Sequence, residues 1–304
     1  MPKRIICLLL LLLPLLAKGQ SPPSFQELVQ QTNQYLERYS YLYPFGDPLL
    51  AMADYLPTPQ ERAAFLSDLG DDTEGLSEQG DSVLTSYLIW YYQDLIINHL
   101  DQLIRHEQLG EQDLLQLIDS DSDLAISRSE DGKLYNFSLD ERTGGSYRSR
   151  VSWMHYTDLK EQEASSTEKI DPFEVFHRDG YTQIHSLPTA GPTYYLVIGY
   201  VRGCNYCFED YLKLVHFEAG RFVEDFAYAV EASSGYTEMT YTPEDQGLHI
   251  QYETNEQIPD CICEEEEEEG LEDRPFQYQE CECFFKFNGQ SFDFVKKNRR
   301  LIKD

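Results

Sequence analysis

The stretch Leu124-Ala125-Ile126-Ser127-Arg128-Ser129-Glu130-Asp131-Gly132-Lys133-Leu134-Tyr135-Asn136-Phe137-Ser138-Leu139 is where the grammar of the chain changes. Upstream of it, apolar residues recur at helical spacing. From Leu124 onward they come in short runs rich in β-branched and aromatic residues, separated by turn signals. Asp131-Gly132 is a hairpin dipeptide, because a tight hairpin turn needs residues that accept a positive φ. Lys133 to Leu139 therefore reads as a strand. Gly180, Ala219-Gly220 and Asn288-Gly289 repeat the punctuation. Residues 124–304 are thus expected to form an antiparallel β domain built as a meander, a sandwich or a propeller-like barrel. Leu212 to Phe226 and Phe284 to Val295 share a pattern, an aromatic on each side of the glycine turn: Phe217 with Phe222, and Phe287 with Phe292.

Working upstream, residues 24–118 read as a helical region. Ser24-Phe25-Gln26-Glu27 is a capping box, in which the serine oxygen and the glutamate carboxylate each take up a free N–H at a helix start. Phe25, Leu28, Val29 and Leu36 would point inward from that helix. Thr58-Pro59-Gln60-Glu61 repeats the device with proline at the first helical position, and Gly70 is the expected stop. A third helix, from about Ser82 to His106, spaces Leu84, Leu88, Tyr91, Leu95 and Leu103 at helical intervals and is broad enough in apolar residues to be central. Asp81-Ser82-Val83 reads as its N-cap. The fold class expected is α+β.

Residues 1–19 have the form of a cleavable export signal: Lys3 and Arg4, an apolar run from Ile5 to Leu16, then Ala17 and Gly19 ahead of a cut before Gln20. Past that leader, Leu84 to Ile104 comes nearest to a membrane span and is interrupted by Gln93, Asp94, Asn98, His99 and Asp101, so no span is expected. The formal charge of −30 excludes nucleic acid and anionic membrane as natural partners. It favours solubility, divalent cations or a basic protein surface.

Six cysteines follow the leader, an even number in an exported chain, which favours disulfides. Cys261 and Cys263 face Cys281 and Cys283 across an acidic segment. A hairpin there would set Cys261 opposite Cys283 and Cys263 opposite Cys281, with all four side chains on one face. The rival is a thiolate metal site, with Cys204 and Cys207 brought alongside or pairing as a redox couple. The run Glu264 to Glu269 should stay extended and solvated as a loop.

Asp119, Asp121, Asp123 and Glu130 fall at positions one, three, five and twelve of a calcium loop. Leu124 stands where that loop wants glycine, and a strand follows where an EF-hand has its exit helix, so a polar helix-to-sheet connection accounts for the same residues. No other cofactor is indicated. No zinc-protease, nucleophile-elbow or phosphate-loop motif occurs, and the seven histidines are scattered. Tyr35, Tyr39, Tyr41, Tyr43 and Phe45 could stack on a sugar, but their spacing mixes helix faces and reads as core plus rim.

The segment Ile126 to Lys133, with Ser138-Leu139-Asp140, Thr143 to Ser146 and the strand Tyr194 to Gly199, resembles a pattern in uncharacterised exported proteins of Bacteroidota. That resemblance implies a helical N-terminal half before a strand-rich half, and no particular activity. The function expected is that of an exported acidic protein, periplasmic or secreted, acting as a non-catalytic binding or envelope-associated module. The alternatives are a hydrolase using paired carboxylates and a calcium-stabilised structural protein. A deep pocket with converging carboxylates would favour the hydrolase, and a flat aromatic or acidic face would favour binding.

Overall fold

Both capping boxes form. The computed structural model describes residues 23–70, 72–118, 123–143, 149–159, 171–176, 180–202, 208–232, 237–254, 261, 263 and 278–302; the expected leader and the glutamate run lie outside them. Helix α1 (Phe25–Ser40) starts with Glu27 N donating to Ser24 Oγ at 3.3 Å and Ser24 N donating to Glu27 Oε2 at 2.8 Å. The helix α2 (Met52–Tyr55) is a single turn. Helix α3 (Pro59–Leu69) repeats the box through Thr58 and Glu61 and stops at Gly70, whose φ is +59°.

Helix α4 (Thr85–Ile104) begins three residues later than its spacing predicts. Ser82–Leu84 is instead the strand β2, paired antiparallel with β1 (Leu49–Ala51), so Ser82 caps no helix. The β-branched Val83 is fully buried there, and Leu84 lies opposite Leu49. The short α5 (Leu114–Leu117) closes the helical part. Helix α4 is central as expected: Leu88, Tyr92, Ile96 and Leu100 are completely buried, with α1 packed alongside.

The strand-rich part consists of three consecutive meanders. They are β3 (Leu124–Arg128), β4 (Leu134–Asp140) and β5 (Arg150–Tyr156); β6 (Tyr181–Leu187), β7 (Tyr194–Arg202), β8 (Phe208–Glu218) and β9 (Arg221–Ala232); and β10 (Thr237–Thr242), β11 (Gly247–Thr254), β12 (Gln279–Phe287) and β13 (Phe292–Leu301). Each strand pairs antiparallel with the next in sequence within its sheet. Of the forms open to this region it is the meander that occurs, its sheets facing one another as in a sandwich. The aromatic pattern is explained by register: Phe217 lies opposite Phe222, and Phe287 opposite Phe292, across their turns. Gly180 marks no hairpin. It precedes β6 with φ +87°, and a Cβ there would sit 2.3 Å from the carbonyl oxygen of Tyr200, so close backbone approach requires the glycine.

Alternation along the strands stacks the layers, because successive side chains point to opposite faces. On β4, Tyr135, Phe137 and Leu139 join the core with the helices, while Leu134 points to the β6–β9 sheet. On β7, Tyr195 and Val197 face back toward β4 and β5, and Tyr194, Leu196 and Ile198 face forward to the β10–β13 sheet. Both strands are therefore buried on both faces. The order is helices, β3–β5, β6–β9, β10–β13, and the helices share one core with the first sheet. Among the described residues only the two end layers present a whole face to solvent.

Candidate functional site

The structure overturns the expected register of the cysteines. Cys261 bonds Cys281 and Cys263 bonds Cys283, each with Cα atoms 5.5 Å apart. No hairpin can form between the two pairs, since both edges of β12 are occupied, by β11 and β13. Cys261 and Cys263 instead sit on the inner face of β12 in the same order as Cys281 and Cys283, which pairs first with first. All four cysteines are buried among Tyr228, Tyr252 and Phe285 in the core of that layer, the place of staples. Cys204 and Cys207 lie outside the described residues.

Asp119 and Asp121 also lie outside them, while Asp123 and Glu130 are placed at opposite ends of β3. Asp123 is buried and ion-paired with Arg142. One Glu130 oxygen accepts from Ser186 N at 2.5 Å and the other lies 3.2 Å from His185 Nδ1, tying the β3–β4 turn to β6. Burial raises the Glu130 carboxyl, and the hydrogen bonds to it outweigh this and lower it below its ordinary value. The described members of the calcium set are thus separated by a strand. Among the described residues no group of three or more His, Cys, Asp or Glu side chains is arranged to hold a metal.

A shallow groove of about 480 Å³ opens between the β6–β7 loop and the β12–β13 turn, lined by Thr189 to Pro192, Tyr194 and Asn288 to Gln290. It has no carboxylate and no histidine in its walls. One titratable pair packs behind the groove's own Tyr194: His216 Nδ1 lies 2.6 Å from Asp225 Oδ2, and the His216 ring packs on Tyr194 at 5.1 Å. This is the arrangement of a satisfied structural histidine.

The other notable surface belongs to the helical end layer. Tyr35 and Tyr39 of the aromatic series point into the core, Tyr39 donating to Asp140 O at 2.6 Å and accepting from Gln93 at 2.9 Å. The remaining three turn outward: Tyr41, Tyr43 and Phe45 are 69%, 65% and 71% exposed. Trp90 on α4 is 62% exposed, and Leu49 is exposed beside the α4 start. The series is core plus rim.

The aromatic loop is held in place at both ends. Arg142, over the Tyr39 ring at 5.4 Å, donates to Leu42 O at 3.1 Å and Ser40 O at 3.3 Å. At the other end the chain turns through Gly46 and Asp47, both at positive φ, and the Asp47 carboxylate caps α4 by accepting from Ser86 N at 2.8 Å and Ser86 Oγ at 2.9 Å. Ser86 is one turn from Trp90, so loop and tryptophan share one end of the helical layer. Tyr87 packs on Trp90 with centroids 5.8 Å apart and the rings tilted, and Tyr43 packs on Phe45 at 6.4 Å. Trp90 is missed by a search for inward helical spacing for the reason it matters. It lies about 160° around the helix from Leu88 and Tyr92, on the outer side.

In comparisons with known proteins, no family model, no curated protein and no solved structure matches the chain.

Proposed function

We propose that the protein is an exported, non-catalytic binding module whose working surface is the aromatic face formed by Tyr41, Tyr43, Phe45, Leu49 and Trp90. The observation that carries this reading is that a loop anchored at both ends holds several large aromatic side chains in solvent. Single exposed apolar residues need no explanation, whereas a gathered set of aromatics marks a contact surface. Tyrosine and tryptophan lose little conformational entropy on contact and bury large areas, which suits them to recognition. The buried disulfides suit an oxidising compartment outside the cytoplasm. No described helix is long and apolar enough to cross a membrane.

A photo-crosslinking amino acid placed at Phe45, in cells making the full chain, tests the proposal. A discrete adduct at Phe45 that is absent with the same probe at Lys286 is the expected result. Indistinguishable patterns at the two sites would overturn it.

A further inference from the structure

The helical region lacks lysine altogether. Residues 23–118 hold sixteen acidic side chains against three arginines, and each arginine is engaged: Arg38 with Glu61, Arg62 with the carbonyls of Leu56 and Pro57, Arg105 with Asp101. Among the described residues of the helical region, no lysine and no unengaged arginine balances the negative field in which the aromatic face sits.

Around the Tyr87–Trp90 pair this field has named sources. The Tyr87 hydroxyl donates to Asp72 Oδ2 at 3.1 Å. The phenol is held above its ordinary value by burial against the chain first, then by Asp72, with Glu74 and Asp47 adding to it. Three carboxylates from two loops, Asp72 and Glu74 ahead of β2 and Asp47 ahead of β1, thus act on one ring. Among the described residues Asp72 accepts from the Tyr87 hydroxyl and Glu74 N, and Asp47 from Ser86 N and Ser86 Oγ, donors that leave the charge in place. Gly75 provides the bed for that ring: a Cβ there would fall 2.4 Å from Tyr87 Cε2.

We infer that the Tyr87–Trp90 pair, with Asp47, Asp72 and Glu74 around it, receives a lysine or arginine side chain of a basic polypeptide segment. This deepens the binding-module reading and rests on it. A cation over an exposed aromatic face gains from the ring quadrupole, most of all on tryptophan, and carboxylates at the rim add long-range attraction. Charge complementarity selects this occupant over a sugar. With sixteen acidic side chains against three arginines in residues 23–118, the field favours a cation over a neutral sugar.

The test uses the full chain and two peptides of equal length, octa-arginine and octa-glutamate, read by a binding titration at low salt. Octa-arginine binds and octa-glutamate does not. Trp90→Ala weakens octa-arginine about tenfold, while Trp90→Phe retains most of the affinity. Asp72→Asn with Glu74→Gln weakens it several-fold. The control pair Glu218→Gln with Glu244→Gln removes the same charge from exposed positions on the sheets and changes affinity by less than about twofold. Gly75→Ala, which displaces the Tyr87 ring without removing charge, weakens it as well. Equal losses for the Asp72/Glu74 and Glu218/Glu244 pairs, with Trp90→Ala neutral, would mean diffuse attraction to an acidic protein and would overturn the inference. If that happens while the Phe45 crosslink persists, the binding face stands and only its cationic occupant is wrong; loss of both removes the binding-module reading too.

Discussion

The two end layers of the stack meet solvent in opposite ways. The outer face of the β10–β13 sheet satisfies its own chemistry: Arg300 pairs with Glu280, Asn298 donates to Glu282 at 2.7 Å, and Phe284 lies between the His249 ring at 4.4 Å and the Lys296 ammonium at 4.5 Å. Its inner face is fastened by two disulfides. Among the described residues the helical layer has no disulfide, its three arginines face sixteen acidic side chains, and it exposes Tyr43, Phe45 and Trp90. The sheet is an end wall, and the helical layer is the end that carries the proposed binding face. Aromatic content alone does not mark function, since Phe284 is aromatic, outward and covered from within the molecule.

The largest expected effect comes from removing the staples. Cys281→Ala with Cys283→Ala opens two closures that each span 20 residues. By loop entropy each contributes about 3 kcal/mol, less for the second because the first already restricts the same loop. Thermal unfolding should fall by roughly 10 °C or more, and an unchanged transition would deny the sheet its stapled character. Tyr39→Phe comes next. It removes the hydroxyl that ties α1 to the end of β4 and should cost about 1–3 kcal/mol in denaturant unfolding, so that the aromatic loop loses an anchor without losing an exposed ring. An effect on peptide binding larger than that of Trp90→Ala would show that posture, and not the tryptophan, governs the face.

The smallest effect is a pH dependence between the layers. Asp210 shares with Leu212 and Leu214 the β8 face turned toward the stapled sheet, and burial pushes its carboxyl up to about 6. Its folded value lies above the ordinary 3.8, so the folded chain binds more protons than the unfolded one between those limits. Stability contributed here therefore falls as pH rises from about 4 to about 6. Asp210→Asn should match the parent at pH 4 and melt higher at pH 7; a constant difference across that range would contradict the assignment.

What could be read from the sequence was what is decided locally. Both capping boxes involve residues three apart, and the turns at Asp131-Gly132, Ala219-Gly220 and Asn288-Gly289 need only a short backbone segment. Each is fixed by chemistry visible in a few letters. The disulfide register failed because it assumed a free edge on β12, and edge occupancy is a property of the whole sheet. Ser82 was misplaced because β2 exists only through its pairing with β1. The candidate face was half legible. Tyr41, Tyr43 and Phe45 are conspicuous in sequence, but their union with Trp90 depends on Asp47 capping a helix 39 residues further on. The one local clue was that Trp90 sits opposite the inward stripe of α4.

Hydroxyl-radical footprinting, comparing the protein in its producing cells with the purified chain, bears most directly on the contrast between the two ends. Protection of Tyr43, Phe45 and Trp90 in the cell, with Phe284 and Val295 oxidised equally in both settings, is the result this account predicts. Equal oxidation of Tyr43, Phe45 and Trp90 in the two settings would contradict it.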